Sequence, residues 1–184
     1  MALTESHPFP LGSKAPDFNL PDTVSGRVLS LSDLKSDKAT VVMFLCNHCP
    51  YVKHVNSGLV ALADRYINLG ASFIAISSND VSRYPEDAPD QMTLIAKKNN
   101  YPFPYLYDEN QEIAKAYDAA CTPEFYLFDG DLKLVYHGQM DDSRPSANIP
   151  VTGKDLADSL DLTLAGKPIT SVQKPGIGCG IKWK

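Results

Sequence analysis

The sequence predicts an α/β domain in which parallel crossovers feed an antiparallel edge. Three observations point there. A short β-branched apolar run, Val41-Val42-Met43-Phe44-Leu45, stops at Cys46-Asn47-His48-Cys49 and gives way to a helical pattern. Strand-like and helix-like segments then alternate through the middle of the chain. Further on, two strand-like runs flank Asp129-Gly130, residues suited to a tight hairpin turn.

Taken in order, residues 1–14 read as a loose N-terminal arm. Lys14 to Leu20 and Arg27 to Leu31 read as the two strands of a hairpin, with Gly26 in its loop. Ser32-Asp33-Leu34 reads as a helical turn, and Thr40 to Leu45 as the buried strand. After Cys49, Val52, Val55, Leu59, Leu62, Tyr66 and Leu69 recur at three- and four-residue steps, with Gly70 as the stop. Pro50 falls in the first turn, where an intrahelical N–H is dispensable. Ala71 to Ser77 is a second buried strand, Ser78 to Pro89 a polar loop and Asp90 to Asn99 a helix. Pro102 to Tyr107 is a short strand limited by its prolines. Gln111 to Tyr117 is a short helix. Pro123 to Phe128 and Leu132 to His137 are the hairpin strands. Asp155 to Ala165 is the last helix, with Leu156, Leu160 and Leu164 four apart and Gly166 ending it. The expected organisation is an arm at 1–14, one domain at 15–166 and an irregular tail at 167–184 carrying Cys179.

At 184 residues the chain has the size of one domain with a real core. A net charge of -5 and the lack of a Lys/Arg cluster argue against a nucleic-acid partner. The apolar runs are too short to span a membrane. The N-terminus lacks the basic start and apolar stretch of a signal peptide, so a cytoplasmic location is expected. In that compartment the four cysteines are not expected to be structural staples.

The position of the Cys-x-x-Cys is itself chemical information. A helix N-terminus offers unpaired N–H groups and partial positive charge, and both favour thiolate over thiol. Thiolate is the form that attacks disulfides and peroxides.

Cys46-Asn47-His48-Cys49 at a strand-to-helix junction, Thr122-Pro123 opening a distant strand, and a closing hairpin and helix together resemble the thioredoxin fold. Ala15-Pro16-Asp17-Phe18, the hairpin before the cysteines and the extra segment between Ser77 and Tyr107 resemble the alkyl hydroperoxide reductase and thiol-specific antioxidant branch. The thiol-disulfide reductases of cytochrome maturation are its relatives. Cys46-Asn47-His48-Cys49-Pro50-Tyr51, with Cys121-Thr122-Pro123 and Gly178-Cys179-Gly180, is similar to the peroxiredoxin-like thioredoxin-family proteins of bacteria. The resemblance covers roughly residues 12 to 166. It implies a central mixed sheet flanked by helices, with an N-terminal hairpin and an inserted segment.

It also implies roles. Cys46 would be the exposed nucleophile and Cys49 the resolving thiol, so the activity expected is that of a thiol-disulfide oxidoreductase. His48 would donate to the Cys46 thiolate or carry charge near it. The Cys46 pKa would then fall in the lower half of about 3.5 to 7. Pro123 would be cis, holding Thr122 beside Cys46 with its backbone free for an extended substrate strand. Cys121 would be a second resolving thiol or a small buried hydrophobe. Cys179 would be a mobile redox thiol between two glycines, or idle. Glu124 would be a solvated strand-edge acid or a proton acceptor for Cys49.

Two further activities compete. A peroxidase of this branch carries a hydroxyl residue three positions before its reactive cysteine, where this chain has Met43 before Cys46; Arg144 is the available guanidinium. A non-catalytic peptide-binding or redox-sensing module would use the Thr122 edge alone. Zinc ligand types occur in Cys46, His48, Cys49 and His54, but structural zinc usually takes paired knuckles and Cys121 and Cys179 are single, so no metal is expected. No organic cofactor is implied, because the thiols carry the electrons. The partner expected is a protein or small-molecule disulfide or dithiol, and a homodimer is compatible with the sequence.

Overall fold

A computed structural model describes residues 3–184. In chain order the elements are β1 (Leu3–Glu5), β2 (Asn19–Pro21), β3 (Val28–Ser30), α1 (Leu31–Leu34), β4 (Ala39–Phe44), α2 (Pro50–Ile67), β5 (Ala71–Ser77), α3 (Pro89–Lys98), β6 (Tyr105–Tyr107), α4 (Glu112–Ala116), β7 (Cys121–Thr122), β8 (Glu124–Asp129), β9 (Leu134–Gly138), α5 (Lys154–Leu164) and β10 (Ile177–Gly180).

The main sheet has the order β6-β5-β4-β8-β9. β4 lies at its centre because all six of its residues are apolar or β-branched and buried, as a strand covered on both faces requires. It runs parallel to β5, with Phe44 opposite Ile76, and antiparallel to β8, with Phe44 opposite Glu124. Its alternation divides the core. Val41, Met43 and Leu45 pack with Val52, Val55 and Leu59 of α2 and Leu156 and Leu160 of α5. Val42 and Phe44 pack on the other face with Phe18, Tyr117, Tyr126 and Phe128.

α2 buries Val52, Val55, Leu59, Leu62, Ala63 and Tyr66, the stripe its periodicity predicts. Leu69, expected on that stripe, lies beyond the helix and is half exposed. The chain turns at Gly70, where φ is +99°. Tyr66 fixes α5 by donating to Ala157 O at 3.0 Å and to the Asp161 carboxylate at 2.8 Å. The predicted hairpin forms as β2 and β3. α1 begins with a capping box between Ser30 and Asp33. The turn after β8 is wider than Asp129-Gly130 predicts: Asp129 N–H bonds Lys133 O and Leu132 takes φ +60°.

Both chain ends depart from expectation. The residues read as a loose arm are tied in: β1 pairs with β10, Gly12 N–H bonds Leu134 O at 2.8 Å, and Lys14 bridges to Lys133. Met1 and Ala2 of that arm lie outside the described residues. The tail at 167–184 is not wholly irregular. β10 forms the middle strand of a second sheet, β1-β10-β7. It has no apolar alternation because it is held by backbone pairing at close quarters. A Cβ on Gly178 would lie 2.0 Å from Thr122 O. No helix among the described residues is long and apolar enough to cross a membrane.

Gly178→Ala should therefore push β10 off its neighbour and destabilise the reduced protein by about 1–3 kcal/mol. A denaturant titration would read this as a lower midpoint. An unchanged midpoint would mean that the β10–β7 contact contributes little to stability.

Candidate active site

The end of β4 and the start of α2 place the two thiols. Leu45 N–H continues the strand by bonding Ile76 O at 2.9 Å, and Cys49 is the N-cap of α2, one residue before Pro50. Cys46, expected to be the exposed thiol, is buried like Cys49, because the end of β4 and the Thr122 turn close over both. Thr122 meets both. Its Oγ1 lies 3.3 Å from Cys46 Sγ, and its carbonyl accepts from the Cys49 thiol at 3.2 Å. The Thr122–Pro123 peptide bond is cis. Cys46 also forms part of the wall of a cavity of about 250 Å³, with Lys53, Asn56, Lys98, Asn99 and Tyr101. Cys49 is not part of that wall.

The residue that sequence reasoning missed is Asp87, in a single 3₁₀ turn at Pro85–Asp87. Its side chain is fully buried and accepts four hydrogen bonds. Oδ1 takes the backbone N–H groups of Asn47 (2.7 Å) and His48 (3.2 Å). Oδ2 takes His48 Nδ1–H (2.6 Å) and the Asn79 amide (2.7 Å). Asn47 is held in turn by Glu86 O and the Tyr105 hydroxyl, and Tyr84 stacks on the His48 ring. Of the two roles expected of His48, donation to Cys46 is not seen, because the ring hydrogen bond goes to Asp87; a place near Cys46 is, with a ring nitrogen within 4.8 Å of Sγ. A proline-flanked acid forty residues from the cysteines carries no local signal that would have located it.

Cys46 Sγ, a His48 ring nitrogen and an Asp87 oxygen all lie within 4.8 Å of one another. Within this group His48 Nδ1 and Asp87 Oδ2 are hydrogen-bonded to each other, while the buried His48 Nε2 has no hydrogen-bond partner among the described residues. His54, weighed above as a ligand, is not among them. It lines a small separate cavity with Pro123 and Ser143.

The two sulfurs titrate as a pair. Cys49 is lowered to about 5, first because the Cys46 thiol donates to it and against the penalty of burial. The thiol of Cys179, the Val52 N–H and Thr122 add to the lowering. Cys46 moves upward, because it is the donor to Cys49, because it is buried, and because the Asp87 carboxylate lies close by. The depression expected at Cys46 thus falls on its partner. Neutral Cys49 donates to Thr122 O; ionised, it accepts from Cys46 instead.

Cys121 is buried on β7, and burial followed by the Glu124 charge pushes its thiol up. Cys179 is buried on β10 opposite Thr122, not on a mobile tail. Burial, then the contact with Cys49, raises it to about 12. Glu124 is fully buried rather than solvated. It accepts from Ala120 N, Cys121 N, the Tyr126 hydroxyl and His137 Nε2. It shares the Phe44 face of the sheet, opposite the face of Met43, Leu45 and the cysteines, so it does not serve Cys49. Arg144 is bonded to Gln139, Asp141 O and Ser143 O. It lines the cavity beside Pro123, not the one at Cys46.

A strand-to-helix thiol pair facing a cis-proline on a mixed sheet is the frame of the thioredoxin fold, and its α/β class and sheet agree with solved relatives. The chain belongs to the AhpC/TSA family, whose sequence model matches residues 11–137. It is similar to the crystal structure of an uncharacterized conserved protein from Geobacillus kaustophilus, at 59% identity and TM-score 0.98, covering 100% of this chain and 97% of that one. It is also similar to a hypothetical protein from Sinorhizobium meliloti 1021, at 43% identity and TM-score 0.96, covering 98% of each. The thioredoxin domain of a thiol-disulfide oxidoreductase from Bacteroides vulgatus shares the fold at 18% identity and TM-score 0.64, with 84% of this chain and 97% of that one covered. No curated protein matches the sequence.

The lowered thiol gives a pH prediction whose sign can be worked out. Between about pH 5 and the ordinary thiol value near 8.5, the folded pair has lost a proton that the unfolded chain retains, so stability rises with pH. It is lost as pH falls through about 5. Above the ordinary value the unfolded chain loses protons that Cys46, Cys121 and Cys179 keep, so stability falls again. Melting temperatures of the reduced protein should trace this rise and fall, and Cys49→Ala should flatten the rise. A rise of equal size in the variant would show that other groups cause it.

Asp87→Asn removes the charge that opposes a thiolate on Cys46. Iodoacetamide should then alkylate Cys46 faster at neutral pH. The same substitution sets an amide in a place shaped for four donors, and should cost about 1–3 kcal/mol. An unchanged alkylation rate in a folded variant would exclude this electrostatic role.

Proposed function

We propose that the chain is a thiol-disulfide oxidoreductase working through Cys46 and Cys49. The observation that carries this reading is the order of the sulfurs: Cys46 faces the cavity, while Cys49 sits behind it at the helix N-cap as the lowered partner. In the reduced pair Cys46 carries a proton donated toward the Cys49 thiolate. As Cys46 attacks one sulfur of a substrate disulfide, that proton passes to Cys49 and the other substrate sulfur leaves as thiolate. Cys49 then attacks Cys46 Sγ, its proton going to the second departing sulfur. The products are the Cys46–Cys49 disulfide, one thiol and one thiolate. The reverse sequence oxidises a dithiol, and the direction follows the reduction potential against the compartment. A cytoplasmic setting fits a reductase. The partner would be a protein or small-molecule disulfide.

A thiol peroxidase is the second reading, favoured by the Thr122 hydroxyl 3.3 Å from Cys46 Sγ. This hydroxyl comes from a distant strand rather than from the three-residue spacing of the branch. Against it, the Arg144 guanidinium is engaged elsewhere.

Steady-state assays of wild type, Cys46→Ser and Cys49→Ser separate the readings. Insulin disulfide reduction and hydrogen peroxide consumption would be measured in parallel, with a thioredoxin-recycling system. Insulin reduction should fall to background in Cys46→Ser. Cys49→Ser should stall as a mixed disulfide on Cys46, visible on non-reducing gels. Fast peroxide consumption that needs Cys46, with slow insulin reduction, would replace this reading by the peroxidase. Inactivity in both assays with retained peptide capture would replace it by a binding module.

A further inference from the structure

Gly178-Cys179-Gly180 has no part in the two-thiol reaction, yet it is built into the site. β10 is held on both edges, with Cys179 opposite Leu3 on β1 and opposite Thr122 on β7. Ser6 N–H to Gly176 O and Ile181 N–H to Ala120 O anchor its ends. Gly178 admits no side chain, since a Cβ would come 2.0 Å from Thr122 O, and at Gly180 a Cβ would come 2.9 Å from the Thr4 side chain. The strand is therefore pressed against the residue that touches both active-site sulfurs, and it delivers a third thiol there. Cys179 is buried in the same cluster as Cys46 and Cys49, and it lies opposite Thr122, whose carbonyl accepts from the Cys49 thiol. Both of the other thiols favour charge on Cys49.

We propose that Cys179 is a third redox thiol, which attacks Cys49 in the Cys46–Cys49 disulfide and carries the oxidation inward as a Cys49–Cys179 disulfide. This rests on the oxidoreductase reading above. The Cys179 thiolate forms a bond to Cys49 Sγ, the Cys46–Cys49 bond breaks, and Cys46 leaves as thiolate and takes up the proton that Cys179 gave up. Two sulfurs are oxidised before and after, so no further oxidant is consumed. In the reduced protein burial, and after it the neighbouring Cys49, hold the proton on Cys179; only the second of these changes when Cys49 is oxidised. Once Cys49 is in a disulfide, its thiolate is gone and that hold lapses. The step returns Cys46 to the cavity as a free thiol while the oxidising equivalent is stored behind it.

The test uses full-length wild type, Cys46→Ser and Cys46→Ser/Cys179→Ser. Each is oxidised with diamide, a diazene that takes two electrons and two protons per disulfide formed. Free thiols are then alkylated, and the peptides are mapped by mass spectrometry without reduction. Cys46→Ser should yield a Cys49–Cys179 linked peptide that is lost in the double variant. Alkylation of both Cys49 and Cys179 in oxidised Cys46→Ser would overturn the proposal. Wild type, oxidised with stoichiometric diamide and quenched over time, gives a measurement independent of any substitution. Cys46–Cys49 should form first and decay as Cys49–Cys179 appears and Cys46 becomes alkylatable. Persistence of Cys46–Cys49 with Cys179 alkylated throughout would overturn the relay. Insulin turnover by the same wild-type sample separates the two readings. Turnover without the Cys49–Cys179 peptide removes the relay and leaves the oxidoreductase. The peptide without turnover removes the oxidoreductase and leaves the linkage.

Discussion

Thr122 is the point on which the site depends. One residue contacts Cys46 through its hydroxyl and Cys49 through its carbonyl, and pairs with Cys179 across a strand edge. β7 is only two residues long, and its position is fixed by what surrounds it. Glu124 bonds the N–H groups of Ala120 and Cys121 from below, and β10 closes the edge from the side. A carbonyl that must accept from a buried thiol cannot wander, because a buried polar group without its partner is costly. The thiol pair is thus ordered from outside α2 as much as by α2 itself.

Two buried acids frame the site from opposite faces of the sheet, and each is fully used. Asp87 accepts four hydrogen bonds and shapes the loop between the cysteines. Glu124 accepts four and shapes the turn leading into the cis-proline. A buried carboxylate is tolerated when hydrogen bonds replace its water, and the cost of removing it is the set of donors then left unpaired. Only Asp87 is near enough to Cys46 to act on its ionisation.

The parts of this architecture that bury apolar surface were legible in the sequence. β4, β5 and α2 announce themselves through runs and three- to four-residue spacing, and the Cys-x-x-Cys falls where a strand becomes a helix. Thr122-Pro123 was legible only through the resemblance to a known fold. What stayed hidden is held by polar contacts between residues far apart in the chain. Asp87 meets His48 across 39 positions. Glu124 was misplaced at the surface because one acid in an apolar strand reads the same whether its partners are water or His137. β10 was read as irregular because Gly-Cys-Gly has no alternation to detect; its evidence lies in how closely Thr122 approaches.

How the two sulfurs share a proton also depends on contacts that the sequence does not display. A helix N-terminus acts strongly only within its first turn. Cys49 is the N-cap itself, whereas Cys46 lies three residues earlier, against a buried carboxylate. The Cys46 thiol donating to Cys49, helped by the Val52 N–H at the helix start, favours charge on the inner sulfur, and the outer one keeps its proton. This arrangement ties reactivity to the pair. In the proposed reaction Cys46 would become nucleophilic by passing its proton to a neighbour already poised to take it, so an incoming disulfide would meet a sulfur and its base in one contact. A single lowered cysteine at the cavity would be charged at rest and open to alkylation and oxidation by any small electrophile. The shared proton confines that exposure to the moment of attack.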